Sequence, residues 1–449
     1  MSGRSNSSVL ITNGTVVTMN DVGDVLRADV FVRGDRIEAI DRIPRKVDLV
    51  IDARGCLVLP GFVQTHVHLC QTLFRNLADD LSLLDWLRER IWPLEAAHDE
   101  ASLRASARLG IAELLLGGST TILDMGTLRN EDVLFEEAER LGIRAVMGKA
   151  MMDAGTGGNT RLRETLQESL RETERLIRKW HGAANGRLRY AVAPRFAVTA
   201  SDDLLRAAAE LAKQNGLLLH THAAENRDEV RLIRERTGRG NVEYLHDLGY
   251  SGAGVCLAHC IWTSEAERRL LAETGTTVLH CPSANLKLGS GIAPVPEYLA
   301  SGVRVTLGAD GAPCNNNLSI FQEMRLAALI QKPRLGPEAM PAETVVRMAT
   351  VEGARALGLG DEIGSLEPGK KADIVVVRAD RVHQVPSASV YSQIVYASRA
   401  SDVEAVLVNG QVLVREGRLT VADEKAIASE ATQQAQRVAK RAGLRLAWP

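Results

Sequence analysis

The sequence predicts an α/β protein: a (β/α)8 barrel with a small β-sandwich domain built from both chain termini. Short β-branched runs punctuated by turn residues occupy the two ends of the chain. Between them, segments with helical periodicity alternate with short apolar runs. These units number near eight, which favours a closed barrel of parallel strands over an open sheet. The 449 residues, 45% of them hydrophobic, leave room for a barrel of about 250 residues and a second, smaller core.

Taken in order, Val9 to Met19 is rich in β-branched residues and turns at Asn13-Gly14. Ala28 to Ile40 breaks at Gly34-Asp35, where a hairpin fits, and Leu49 to Leu59 is interrupted at Gly55 and ends at Pro60-Gly61. Helical periodicity then marks Glu100 to Leu116, Asn130 to Leu141, Thr160 to Trp180, Ser201 to Gln214, Ser264 to Thr274 and Ala342 to Leu357. The apolar runs between them are Leu57 to Val63, Thr120 to Leu123, Arg144 to Val146, Leu188 to Val192, Leu217 to Leu219, Val255 to Leu257, Thr276 to Leu279 and Val303 to Leu307. Strand texture returns at Ala372 to Val377 and at Val403 to Val414, where Val408-Asn409-Gly410-Gln411 is a type I′ hairpin signal. Asp423 to Arg441 reads as a terminal surface helix.

Charge and composition exclude several classes. With 54 Lys and Arg against 56 Asp and Glu, the net charge of -2 offers no basic excess to track phosphates, so no nucleic-acid partner is expected. An aromatic content of 4% argues against stacking platforms. No stretch approaches the roughly 20 apolar residues of a membrane span, and Met1 to Ser8 lacks the apolar region of a secretory signal. Six cysteines in so long a chain do not make a disulfide framework. The expectation is a soluble cytoplasmic protein of enzyme size with no membrane partner.

Histidines fall at the ends of the expected strands. His66 and His68 follow the first run, and two imidazoles at i and i+2 on extended backbone share a face and can bind one metal. His220 and His222, His259, His280 and Asp310 occupy the same position in later units, and in a barrel the C-terminal strand ends form one mouth. Of His220 and His222, one is expected to face inward and the other outward. Glu225, three residues past His222, is placed to pass protons to a substrate beside the metal. Gly364 to Lys371 mimics a phosphate-binding loop but lacks the Ser/Thr and contains a Pro, so it reads as a turn. Cys256 and Cys260 have no second pair for a zinc finger.

On these residues the chain resembles the amidohydrolase superfamily, in the branch of purine-type deaminases and triazine hydrolases. The resemblance runs through Pro60-Gly-Phe-Val-Gln-Thr-His66-Val-His68, His220-Thr-His222-Ala-Ala-Glu225, Ala258-His259-Cys260, His280-Cys-Pro-Ser-Ala-Asn-Leu-Lys, Leu307-Gly-Ala-Asp310-Gly and Gly364-Ser-Leu-Glu-Pro-Gly-Lys-Lys-Ala-Asp373. It implies a distorted TIM barrel over residues 60–364 and a composite sandwich from residues 1–59 and 365–449. It makes His66, His68, His222 and Asp310 ligands of one divalent metal, Zn²⁺ first with Fe²⁺ and Mn²⁺ as alternatives, and His220 an outward neighbour. The implied reaction is hydrolytic deamination by a metal-bound hydroxide, releasing ammonia. In it Asp310 accepts the water's proton, Glu225 protonates the ring nitrogen and His259 orients the nucleophile. Gln71, Trp86, Arg195, Phe196 and His280 are the implied substrate contacts. The region from Gln71 to Leu87 is similar to deaminases of 5′-deoxyadenosine, methylthioadenosine, S-adenosylhomocysteine and adenosine. Pro194-Arg195-Phe196 and Gln71 resemble guanine deaminases, and Leu288 to Glu297 resembles chlorohydrolases. A 5′-modified adenosine is therefore expected ahead of guanine and a triazine, in a homo-oligomer. A catalytically silent structural relative is the non-enzyme alternative.

Overall fold

Parallel strands covered by helices are buried on both faces, and eight segments in the middle of the chain are buried at almost every position. They are β1 (Phe62–Val67), β2 (Ser119–Met125), β3 (Arg144–Gly148), β4 (Leu188–Pro194), β5 (Leu218–Ala223), β6 (Val255–His259), β7 (Thr277–His280) and β8 (Val305–Leu307). The computed structural model describes residues 7–41, 46–155 and 160–444; the opening six residues, part of the segment read above for a signal, lie outside them. Each strand pairs in parallel with the next. The ring closes where the segment after β8 returns to β1, through a Val67–Asp310 bridge and an Asp310 N–H donated to the His66 carbonyl at 2.9 Å. Val63, Leu123, Val146, Ala191, Ala258 and Leu279 fill the lumen, with Leu357, Leu359 and Ile363 packed against them.

Local chemistry sets the ends of the outer helices. Asp99, Thr165, Ser201 and Ser264 each accept a main-chain N–H at the start of the helices Glu100–Leu116, Leu166–Trp180, Asp202–Asn215 and Glu265–Thr274. Gly142 and Gly216, at φ 89° and 62°, close the C-terminal ends of Asp132–Leu141 and Asp202–Asn215 in a conformation a β-carbon disfavours. Two expectations change. Ala342 to Leu357 is two helices, Ala342–Met348 and Val351–Ala356, because Thr350 leaves helical geometry and turns its hydroxyl to the Val346 carbonyl at 2.7 Å. The terminal helix Glu424–Arg441 is not a free surface helix. It buries Ile427, Ala431, Ala435 and Val438 and packs on Glu100–Leu116, with Arg441 paired to Asp99 at 2.6 Å.

The chain ends build two further sheets. One holds Ser8–Thr12, Asp29–Arg33, Arg36–Asp41 and Leu49–Asp52. The other interleaves the termini, because Cys56–Pro60 runs antiparallel to Ile374–Arg378, which pairs with Val403–Val408. Val9, Ile11, Val30 and Val32 from the first sheet meet Val58, Ile374, Val376 and Leu407 from the second in one core. The hairpin at Asn409-Gly410 has φ 48° and 73°, the paired positive values of a type I′ turn. All six cysteines are free and buried, and Gly364 to Lys371 is a turn. Among the described residues, no helix is long and apolar enough to cross a membrane.

Candidate metal centre

Three strand ends bring four ligand-type side chains together. His66 is the penultimate residue of β1 with His68 just beyond its end, His222 lies near the end of β5, and Asp310 follows β8. All four are buried, with ligand-type atoms within 4.8 Å of one another. Asp310 Oδ1 lies 3.4 Å from His66 Nε2 and 3.3 Å from His68 Nε2, and His68 Nε2 lies 3.3 Å from His222 Nε2.

Tautomers decide what this cluster is. His68 Nδ1 donates to the Met125 carbonyl at 2.7 Å and His222 Nδ1 to the Arg195 carbonyl at 2.5 Å. A carbonyl only accepts, so Nδ1 of each ring carries a proton, and in the neutral ring that a metal binds Nε2 is a bare lone pair. The 3.3 Å approach of the two Nε2 atoms is therefore not a hydrogen bond between neutral rings; it places two lone pairs and a carboxylate oxygen around one point. His66 Nε2, also buried, has no hydrogen-bond partner. Metal–nitrogen bonds of about 2.0–2.1 Å in a tetrahedron set ligand atoms about 3.3 Å apart, so the group fits a divalent metal site. Burial pushes His66 down to about 4 and His222 well below the usual imidazole value, which keeps both in the neutral, ligating form. Burial works to raise Asp310, but its contacts with His66 and His68 hold it well below the carboxylate range.

Two more groups face this cluster. His259 Nε2 lies 3.6 Å from Glu225 Oε2 and 3.8 Å from Asp310 Oδ2, while His259 Nδ1 meets Asn285 Oδ1 at 2.8 Å. Burial, then the charge of Asp310, pushes the Glu225 carboxyl well above its ordinary value, in the direction of the protonated form that can donate. Ala224, His259 and Asp310 have φ of 48°, 71° and 63°. Left-handed backbone at non-glycine residues costs about 1–3 kcal/mol each and gathers at working sites.

His68, His222 and Asp310 of the cluster, with His259, line one end of a pocket. Leu83, Trp86, Leu87, Trp92, Phe196 and Leu288 supply apolar walls; His68, Gln71, Arg195, Thr199 and Glu225 supply polar ones. Of the sequence-expected substrate contacts, Gln71, Trp86, Arg195 and Phe196 line the cavity. His280 does not: it is buried, with both ring nitrogens lacking a hydrogen-bond partner. Trp86 Nε1 is likewise buried and unpartnered.

Two features escaped the sequence reading. Glu95 holds the Arg195 guanidinium through both its oxygens, and its Oε1 also accepts Gln71 Nε2 at 2.9 Å. The Arg195 charge is thus neutralised inside the wall, and a glutamate in a short helical turn carries no mark of this in sequence. His220 is not an outward neighbour. Residues i and i+2 of a strand share a face, so His220 points inward with His222 and meets His66 Nδ1 at 2.9 Å.

Comparison with known proteins agrees with this geometry. The model of the amidohydrolase family matches residues 57–413. The chain is 41% identical over 423 residues to the 5′-deoxyadenosine deaminase of Methanothermobacter thermautotrophicus, covering 94% of this chain and 96% of that protein. It is 39% identical to the 5-methylthioadenosine/S-adenosylhomocysteine deaminase of Thermococcus onnurineus, covering 92% and 95%. A crystal structure of an adenosine deaminase from Xanthomonas campestris with bound zinc superposes with a TM-score of 0.91 at 31% identity, covering 97% and 99% of the two chains.

Proposed function

The chain belongs to the amidohydrolase family, and from that premise we propose that it is a zinc-dependent hydrolytic deaminase of 5′-modified adenosines. The observation that carries the reading is the pair of imidazole Nε2 atoms converging beside Asp310, with the Glu225 carboxyl on the wall of the same pocket. His66, His68, His222 and Asp310 would hold a Zn²⁺ ion, which would supply the Lewis acidity that makes water a nucleophile near neutral pH.

The remaining work belongs to the chain. Glu225 delivers its proton to the ring nitrogen beside the amino-bearing carbon, which draws electrons from that carbon as the water oxygen bonds to it. Asp310 takes the proton the water gives up, and His259, between the two carboxyls, orients that oxygen through Nε2. Asp310 then passes the proton it took to the amino group, the carbon–nitrogen bond breaks and ammonia leaves, while the oxygen's remaining proton returns to Glu225 as the ring carbonyl forms. Trp86 and Phe196 suit the faces of a purine, and the leucines suit an uncharged 5′ group.

Guanine ranks second because Arg195, the residue on which that reading leaned, already has its fork occupied by Glu95. The test incubates zinc-loaded protein with 5′-deoxyadenosine, S-adenosylhomocysteine, adenosine, guanine and a chlorotriazine while ammonia and chloride are measured. Turnover of 5′-deoxyadenosine with little from guanine is expected; guanine turning over while every adenosine stays inert would reverse the assignment.

A further inference from the structure

The three histidines of the metal cluster are each tied through Nδ1, but not by the same kind of group. His68 and His222 donate to main-chain carbonyls. His66 instead meets a side chain: its Nδ1 lies 2.9 Å from His220 Nε2, with the two rings nearly perpendicular at 89°. Both rings are fully buried. His66 belongs to β1 and His220 to β5, strands that do not neighbour each other in the sheet, so the contact is a strut across the barrel lumen. The single strand β5 thereby carries one ligand, His222, and the partner of another.

We propose that His220 is a positioning residue of the metal centre, its Nε2 accepting the Nδ1 proton of His66 and so holding His66 with a bare Nε2 toward the cation. The proposal rests on the metal reading above. His66 can ligate through Nε2 only if its proton is on Nδ1, and that proton needs an acceptor in the buried lumen. A carbonyl enforces this for the other two rings because it can do nothing else. His220 enforces it only when its own proton is on Nδ1, and that atom is buried with no hydrogen-bond partner. An unpaired buried donor is costly, and an apolar side chain at position 220 would fill the space without that cost. The nitrogen that is used, Nε2, therefore accounts for the imidazole.

Zn²⁺ dissociation constants measured by chelator competition test this on the wild type, on His220→Phe, which keeps the ring volume but offers no acceptor, and on His220→Gln, which returns an amide oxygen close to the place of Nε2. The Phe variant is expected to bind about 10–100-fold more weakly, and the Gln variant to recover to within about fivefold of wild type. The visible bands of bound Co²⁺ should move in His220→Phe and return in His220→Gln. Wild-type affinity together with an unchanged Co²⁺ spectrum in His220→Phe would overturn the proposal. A long-range ¹H–¹⁵N correlation on the zinc-loaded wild type needs no variant: a proton on His66 Nδ1 and none on His220 Nε2 is expected, and the reverse placement would overturn the proposal even if neither variant folds. A wild-type protein that binds no divalent metal would instead remove the metal reading on which the proposal stands.

Discussion

In the proposed reaction Glu225 gives up a proton near neutral pH, and burial beside Asp310 pushes its carboxyl in the direction that holds that proton. Replacing it by Gln preserves shape and removes the transferable proton. Glu225→Gln is expected to retain its zinc by elemental analysis while ammonia release falls about 10²–10⁴-fold, the usual worth of a positioned acid; full turnover would end the assigned role. Glu225 and the cluster around it were legible in the sequence because a barrel sends its strand ends to one mouth, so spacing after each strand is also position in space. Glu95 was not legible, since what defines it is Arg195, one hundred residues away, and no local pattern links the two. The inward face of His220 is legible too, since the period of a strand alone puts it on the same face as His222.

Elements were legible in proportion to how much of their apolar pattern survives without tertiary partners. Glu100–Leu116 matches its sequence boundaries because Asp99 caps it and an apolar stripe runs its length. Arg227–Thr237 was missed because charged residues dominate it and only Glu229 and Ile233 are buried, too few to print a period. The start of Glu100–Leu116 is also tied to the turn after His68, through His98: Nε2 donates to the Cys70 carbonyl at 2.8 Å and Nδ1 meets Ser102 Oγ at 2.9 Å. Burial pushes His98 from 6.5 down to about 4. Between those values the unfolded chain binds a proton that the folded chain refuses, so stability rises with pH across that window. The contribution is complete above pH 6.5 and is lost as pH falls through about 4, at most about 3 kcal/mol. Urea midpoints of metal-free wild type and His98→Gln should therefore be separated by a constant amount above pH 6.5 and converge on acidification toward pH 4. A separation independent of pH would show that His98 does not titrate in this way.

At the scale of the whole molecule, the barrel and the sheets of the chain ends meet through a buried ion pair. Arg144 opens β3, and its Nε and Nη2 donate to Asp373 at 2.7 and 2.9 Å, both side chains 2% exposed or less. Asp373 also accepts the Asn409 N–H of the type I′ hairpin at 2.8 Å, and its carbonyl accepts the Gly61 N–H at the entry to β1 at 2.9 Å. The aspartate that ends the late Gly364 to Asp373 motif thus clasps both halves of the fold rather than touching the cavity. Two charges taken out of water gain little net stability while paired, but removing one strands the other. Asp373→Leu is therefore expected to destabilise the protein by about 3–5 kcal/mol, read from urea unfolding, because Arg144 keeps a buried, unanswered charge. Removing both charges in Arg144→Met/Asp373→Leu should recover a large part of that loss, since no buried charge is then left unpaired and only the Asn409 N–H and side-chain oxygen lose their partners. If the double variant is as unstable as the sum of the two single ones, the clasp acts through the shape and hydrogen bonds around Asn409 and Gly61, and the charge argument fails.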